Sequence, residues 1–238
     1  DFSEEDARHL ARFGVVWTQG MRWNPPPKFS GDYVPFSPPR AGYETWESAI
    51  ISDAKKLRAI KPSLPVLGYY GYGGCCTGRN EWWLENYTSA ANSALWLRDD
   101  TGHVVFTGDS PPLFKPVWDL CNPSMVSFVN HVILRDFVQS DDVAGSFFDS
   151  VTSYTGLGRF GAMSGYRNAS FSTASGVRLD RCWRDAMVNI SAYLSSKGKF
   201  AIMSTTSLLR HKEGSWDATD VEMLSTVGGF RYIEALCP

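Results

Sequence analysis

The sequence lacks any long hydrophobic run: no stretch approaches the roughly 18 consecutive apolar residues that are needed to span a bilayer. It also lacks a run of basic residues interleaved with aromatics, and its net charge is −2. A surface that follows a phosphate backbone normally carries clustered Lys and Arg. We therefore expect neither a membrane span nor a nucleic-acid partner.

Several common site motifs are missing as well. The glycine-rich segment at 71–74 follows an apolar strand but lacks the Lys-Ser/Thr pair of a P-loop, and no G-x-S-x-G nucleophile elbow occurs. The chain has no C-x-x-C pair, and its four histidines are dispersed. These absences predict no metal site and no cofactor.

Cysteines and sequons are present and point to an oxidising compartment. Disulfides persist mainly in secreted and extracytoplasmic proteins, so we predict an extracellular or secretory-pathway glycoprotein with at least one cysteine pair. The alternative is a reduced intracellular protein whose cysteines only pack. The pairing stays open, because four of the thiols can form two bridges in several ways and the fifth needs a further partner. The cysteines are Cys75, Cys76, Cys121, Cys182 and Cys237, and the sequons are at Asn86, Asn168 and Asn189.

Short apolar strands alternate with amphipathic helices along the chain. This alternation predicts parallel βαβ units, since parallel strands need a crossover connection, usually a helix. The predicted strands are 13–18, 65–70, 116–120, 143–148, 199–204 and 229–235. The predicted helices are 3–12, 43–60, 122–138, 177–196 and 217–227.

Six such strands fit a single (β/α)8 TIM barrel over residues 1–238, truncated after the sixth strand, because eight strands close a barrel. A β-hairpin at 95–106, turning at Asp99-Asp100-Thr101-Gly102, is predicted as an insertion on the rim. An open doubly wound sheet is the structural alternative.

Acidic and aromatic residues recur where the predicted strands end. The active site of a parallel α/β fold lies at the carboxyl ends of its strands. We predict Asp149 and Glu234 as the catalytic pair, with burial raising the pKa of Asp149 for a general acid and Glu234 ionised, although these roles could be reversed. The predicted substrate-binding residues are Trp17, Gln19, Tyr69, Tyr70 and Asp119.

Structural explanations compete with these assignments. An Asp at a strand end can cap the next helix or bind loop amides, and aromatics fill cores more often than they bind ligands. Asp119 lies three residues before Asn122, a good helix N-cap, so a structural role is at least as plausible for it as substrate binding.

Six segments together resemble a family of TIM-barrel glycosyl hydrolases and are more distantly similar to the endo-α-1,4-polygalactosaminidase-like barrels. In chain order they are FGVVWTQG, PVLGYYGYG, WLRDDTGHVVFTG, VWDLCNPSMVSFVNHVI, GSFFDSV and FRYIEA. The resemblance implies a (β/α)8 fold with Asp149 and Glu234 as the suspected catalytic pair. We do not expect the last two βα units of such a barrel within residues 1–238.

The function that we expect is therefore a glycoside hydrolase that cleaves an extracellular polysaccharide or oligosaccharide by paired-carboxylate catalysis. The alternative is a carbohydrate-binding barrel without catalysis, in which the same aromatic rings hold the sugar but the carboxylates are not paired across a cleft. The sugar, the linkage and the oligomeric state are not predicted.

Overall fold

A computed structural model of the chain describes residues 3–18, 45–71, 93–107, 115–149, 170–204 and 231–232. Its main feature is a parallel sheet with the strand order β1-β2-β5-β6-β7. These strands are β1 (Val16–Thr18), β2 (Val66–Gly71), β5 (Gly145–Asp149), β6 (Phe200–Ser204) and β7 (Arg231–Tyr232). The predicted α/β class and parallel pairing are confirmed.

Several helices begin at capping signals that the sequence carries. Ser3 and Thr45 each form a capping box with the residue three positions later, and Asn122 caps a helix that starts with Pro123. The helices are α1 (Glu4–Leu10), α2 (Trp46–Ile60), α3 (Pro123–Phe128), α4 (Arg135–Gln139) and α5 (Thr173–Ser196), with a π-helical turn at Val129–Ile133 between α3 and α4.

Helix α5 is longer than predicted at its amino end. The Ser172 side chain accepts a hydrogen bond from the Ser175 amide, so the helix starts at Thr173 instead of 177. Its predicted apolar stripe is confirmed, since each member is at most 2% exposed. Burial of one such side chain contributes about 1.5–3 kcal/mol, which makes this stripe the main attachment of α5. The stripe is Leu179, Trp183, Met187, Ile190 and Leu194.

The two faces of the sheet pack differently. Val66, Tyr70 and Phe148 belong to the large core that the sheet shares with the helices. Leu67, Phe147 and Ile202 form a separate cluster on the opposite face, which contains no helix residue in the part of the chain described. Among the described residues, the helices therefore cover one face of the sheet. We call that face the outer face and the other the inner face.

The predicted third strand, 116–120, is not part of this sheet. Lys115–Pro116 (β4) pairs antiparallel with Phe106–Thr107 (β3), and Trp118 forms an antiparallel bridge with Trp96. The segment thus belongs to the predicted hairpin insertion, whose turn is confirmed by the Arg98–Val104 bridge. The error arose because this segment, which pairs with both arms of the hairpin, has the same apolar character as a strand of the main sheet.

The strand order follows the chain order without a reversal among the strands described. A doubly wound sheet reverses its order at a switch point and carries helices on both faces. Neither feature is present in the described residues, so the sheet is singly wound within them.

One disulfide joins the insertion to the helical layer. Cys121 and Cys182 are bonded, which links the turn before α3 to the middle of α5. The prediction of at least one cysteine pair is confirmed; Cys75, Cys76 and Cys237 lie outside the described residues. Of the sequons, Asn189 lies within α5 and Ser191 is only 3% exposed, whereas Asn86 and Asn168 are outside the described ranges.

Candidate active site at the carboxyl edge of the sheet

The carboxyl ends of neighbouring strands meet at one edge of the sheet. Thr18 pairs with Gly68, and further along β2 Gly71 pairs with Asp149. Asp149 is the last residue of β5, as the strand prediction placed it. Glu234 follows β7 by two positions and lies, like Gln19, outside the described residues. The catalytic roles of Asp149 and Glu234 therefore stay predictions.

Aromatic rings line the inner face beside this edge. Trp17 stacks on Phe147 with ring centroids 4.7 Å apart and an angle of 9° between the planes. Tyr69 lies 5.9 Å from Phe147 at 27°. Phe147 is 4% exposed, whereas Trp17 is 40% exposed, so one indole face is supported by protein and the residue keeps an accessible surface. Such a supported ring suits stacking against the apolar C–H face of a sugar.

Phe147 was missed in the sequence analysis. Its signal was present, because it lies two residues before Asp149 and successive strand residues alternate between faces. The Phe147 ring stacks on Trp17 and lies beside Tyr69, so it packs between two of the predicted substrate-binding aromatics.

Tyr70 lies on the outer face, opposite Tyr69. It is 2% exposed, and its hydroxyl donates to the Ile133 carbonyl oxygen at 2.6 Å. Its ring packs 5.0 Å from Phe137 and 6.3 Å from Phe148. The Tyr70 side chain therefore belongs to the core on the outer face, because adjacent strand residues point in opposite directions, and its role in substrate binding stays a prediction.

Asp119 lies in the hairpin insertion and not at a strand end of the main sheet. Its carboxylate accepts a hydrogen bond from the Cys121 amide at 3.0 Å, and its own amide donates to the Leu95 carbonyl. Burial raises the pKa of Asp119 above its ordinary value, against the lowering effects of the Cys121 amide and Arg178. These contacts favour the structural role, since they hold the turn that leads into α3.

The hairpin turn fastens the start of α5. Asp99 accepts hydrogen bonds from the Ser170 amide at 3.1 Å and from the Thr101 amide and hydroxyl, and Asp100 accepts from the Ser172 amide at 2.7 Å and the Ser175 hydroxyl. The pKa of Asp99 is lowered to about 2, mainly by the hydrogen bond from the Thr101 hydroxyl and to a smaller extent by those from backbone amides, although burial acts in the opposite direction. Both carboxylates therefore stay ionised near neutral pH and fix the point at which the chain returns after β5.

No group of three or more His, Cys, Asp or Glu side chains suited to a metal ion occurs in the portion of the chain that the structure covers. In the same residues, no helix is both long and apolar enough to cross a bilayer.

No protein-family model and no curated protein matches the sequence. Solved structures with similar folds include an α-galactosidase from Thermus thermophilus (TM-score 0.47, 12% identity, covering 85% of this chain and 35% of that one). A cycloalternan-degrading enzyme from Trueperella pyogenes has a TM-score of 0.49 and 12% identity, with 84% of this chain and 29% of that one covered. The α-N-acetylgalactosaminidase NagBb from Bifidobacterium bifidum has a TM-score of 0.47 and 10% identity, with 84% of this chain and 28% of that one covered. The chain spans about a third or less of each of these three proteins. Similarity at this level assigns neither a substrate nor a catalytic residue to the chain.

Proposed function

We propose that the chain is part of a (β/α)8-barrel glycoside hydrolase in which Asp149 and Glu234 are the catalytic carboxylates. One observation carries the proposal. Asp149 ends a parallel strand at the carboxyl edge of the sheet, two residues after Phe147, whose ring supports Trp17. By strand alternation, position 149 shares the inner face with Phe147. Glycosidic cleavage uses a pair of carboxyl groups, and we propose Asp149 as one member of that pair.

The barrel closure is also part of the proposal. The strands follow one another in chain order, and helices cover only the outer face of the sheet among the described residues. A barrel is built in this way, with its inner face enclosed. The inner face would then carry the substrate groove at its carboxyl mouth.

In the proposed mechanism, one carboxylic acid protonates the leaving glycosidic oxygen. The other carboxylate either attacks the anomeric carbon, after which water hydrolyses the glycosyl-enzyme, or takes a proton from the water that attacks this carbon directly. A separation of about 5–5.5 Å between the two groups gives retention, and about 6.5–9.5 Å gives inversion. Trp17 and Tyr69 would hold a sugar ring. We place the reaction outside the cell on an oligosaccharide or polysaccharide, supported by the Cys121–Cys182 disulfide, since such bonds persist in oxidising compartments.

The test is release of reducing ends from a panel of polysaccharides by the full-length protein that carries this chain. Asp149→Asn and Glu234→Gln should each lower turnover by roughly 100-fold or more, the usual contribution of a positioned acid or base. Asp141→Asn is the matched control, because Asp141 is exposed and lies in the turn four residues before the same strand. Its turnover should be unchanged.

Trp17→Ala should mainly raise the KM, because it removes a stacking surface and leaves the carboxylates in place. Full turnover in both carboxylate variants would refute the catalytic assignment. Retention of a polysaccharide by the wild type in affinity electrophoresis, without any new reducing ends, would instead support the non-catalytic carbohydrate-binding barrel.

A further inference from the structure

The sequon Asn189-Ile190-Ser191 lies in the second half of α5. Asn189 is exposed and lines a cavity of about 410 Å³ beside α3 and the π-helical turn, so open space lies next to its side chain. Ile190 and Ser191 are buried, at 1% and 3% exposed. The asparagine of this motif can therefore carry a large group in the folded protein, whereas its serine is not accessible.

A hydrogen bond holds the Asn189 amide group in place. The Asn189 Oδ1 accepts from the Asn130 Nδ2 at 2.9 Å. An N-linked glycan replaces one hydrogen of the asparagine Nδ2 and leaves the Oδ1 free to accept. A glycan on Asn189 is thus compatible with this bond, which attaches α5 to the π-helical turn.

The Ser191 hydroxyl makes no hydrogen bond in the described part of the fold, although it is buried. Buried polar atoms are nearly always paired, so a serine at this position is unfavourable for packing alone. An N-x-S/T acceptor needs a hydroxyl two residues after the asparagine. This requirement gives the Ser191 hydroxyl a use before the chain folds.

The helical geometry bears on when a glycan can be attached. Residues two apart on a helix do not face each other, and the Asn189 and Ser191 side chains accordingly differ in exposure. A transferase that has to contact both side chains can do so only while this segment is not packed as a helix. The Cys121–Cys182 disulfide then fixes α5 about two turns before Asn189. Attachment must therefore precede the packing of α5.

We propose that Asn189 carries an N-linked glycan that is attached before α5 packs. In this step the Asn189 Nδ2 attacks the anomeric carbon of an oligosaccharide activated as a lipid-linked diphosphate. The bond from that carbon to the diphosphate oxygen breaks, the lipid diphosphate leaves, and the Nδ2 gives up one proton to a base of the transferase. The inference rests on the extracellular location proposed above, which the disulfide supports, and not on the glycosidase assignment.

Peptide mapping tests the site in the full-length protein that carries this chain, secreted from a eukaryotic cell. Release of glycans by a peptide N-glycosidase in heavy-oxygen water converts each glycosylated asparagine into a labelled aspartate, which mass spectrometry locates. The Asn189 peptide should be labelled. Asn122, which is followed by Pro123, is an internal control that should stay unlabelled. An unlabelled Asn189 in secreted protein whose Cys121–Cys182 bond is intact would overturn the proposal, whatever its glycosidase activity.

Ser191→Ala separates the sequon from the asparagine. It leaves Asn189 in place and deletes a hydroxyl without a partner among the described residues, so the variant should fold as the wild type does. The label on Asn189 should be lost completely. Ser195→Ala, at an exposed serine on the same helix, is the matched control and should keep the label. A label that persists in Ser191→Ala, or is lost equally in Ser195→Ala, would contradict recognition of this sequon.

The timing is tested on protein purified from a host that does not attach N-linked glycans. With a solubilised oligosaccharyltransferase and the lipid-linked donor, the folded protein should stay unmodified at Asn189. The reduced and unfolded protein should be modified there. Equal modification of the folded protein would overturn attachment before the packing of α5.

Discussion

The outer and inner faces of the parallel sheet are built from alternate residues of the same strands, yet they have different roles. Tyr69 and Tyr70 are adjacent in β2. Tyr70 is buried against the helices and hydrogen-bonded to the Ile133 carbonyl, whereas Tyr69 belongs to the inner-face aromatic group with Phe147 and Trp17. Two adjacent residues of one strand thus meet different surroundings, because successive side chains point to opposite faces of the sheet.

Tolerance to substitution should follow the same division. The outer face is closed by helices, so each change there alters packing and stability. The inner face retains a Trp17 that is 40% exposed, so changes there should affect ligand binding more than folding.

The largest effect is expected from Gly68→Ala on the outer face. A Cβ at Gly68 would collide with the Phe137 ring, which packs directly over this position. Overpacking of this kind costs about 2–3 kcal/mol. The Tm should fall by roughly 5–10 °C for a domain of this size, measured by thermal unfolding followed by circular dichroism.

Gly14→Ala is the control for that substitution, because nothing lies within 4 Å of a Cβ at Gly14. Adding Phe137→Leu to Gly68→Ala should recover part of the loss. An unchanged Tm in Gly68→Ala would show that the helical layer does not rest on this face of β2.

A smaller effect is expected from Tyr70→Phe. The substitution removes a buried hydrogen bond of 2.6 Å and leaves the Ile133 carbonyl without that donor, at a cost of about 1–2 kcal/mol. Turnover and saccharide binding should not change, in contrast to Trp17→Ala. Urea unfolding measures the stability difference.

Tyr193→Phe serves as the matched control. Tyr193 is half-buried on α5 and contacts His131 through its ring, so loss of its hydroxyl should change stability by about 0.5 kcal/mol or less. A KM increase in Tyr70→Phe would return Tyr70 to the substrate-binding group.

The smallest effect concerns pH and the hairpin turn. The pKa of Asp99 in the folded protein is about 2, below the ordinary value of 3.8, because the Thr101 hydroxyl and backbone amides favour the charged form. The stability that Asp99 supplies is therefore present above about pH 4 and is lost as the pH falls through 3.8 toward 2.

Thermal unfolding of the wild type and Asp99→Asn between neutral pH and about pH 2 measures this contribution. The difference in Tm between the two proteins should shrink as the pH falls. Glu5→Gln, at an exposed carboxylate on α1, is the control. The difference in Tm between Glu5→Gln and the wild type should not depend on the Asp99 contacts. Parallel curves for wild type and Asp99→Asn would show that the Asp99 carboxylate does not hold Ser170.

Local signals predicted most of the elements. The cap residues Ser3 and Asn122 and the stripe on α5 depend on neighbours within a few positions, and they were found correctly. The strand at 116–120 was wrong, because an apolar run does not reveal whether its partner is a parallel sheet strand or the other arm of a hairpin.

The candidate site was only partly accessible to sequence reasoning. The position of Asp149 at the end of β5 followed from the apolar run before it. The outer placement of Tyr70 and the support that Phe147 gives to Trp17 depend on register, which a single strand does not disclose.

Local chemistry alone determined the starts of α1 and α3, the parallel α/β class and the presence of a disulfide in this protein, because capping, periodicity and cysteine content act over short distances or through composition. The tertiary structure decided which cysteines pair, which face of β2 meets the helices, and that Asp119 serves a hairpin and not the sheet edge. These outcomes depend on contacts between residues far apart in the chain, and such contacts are fixed only when the strands and helices pack together.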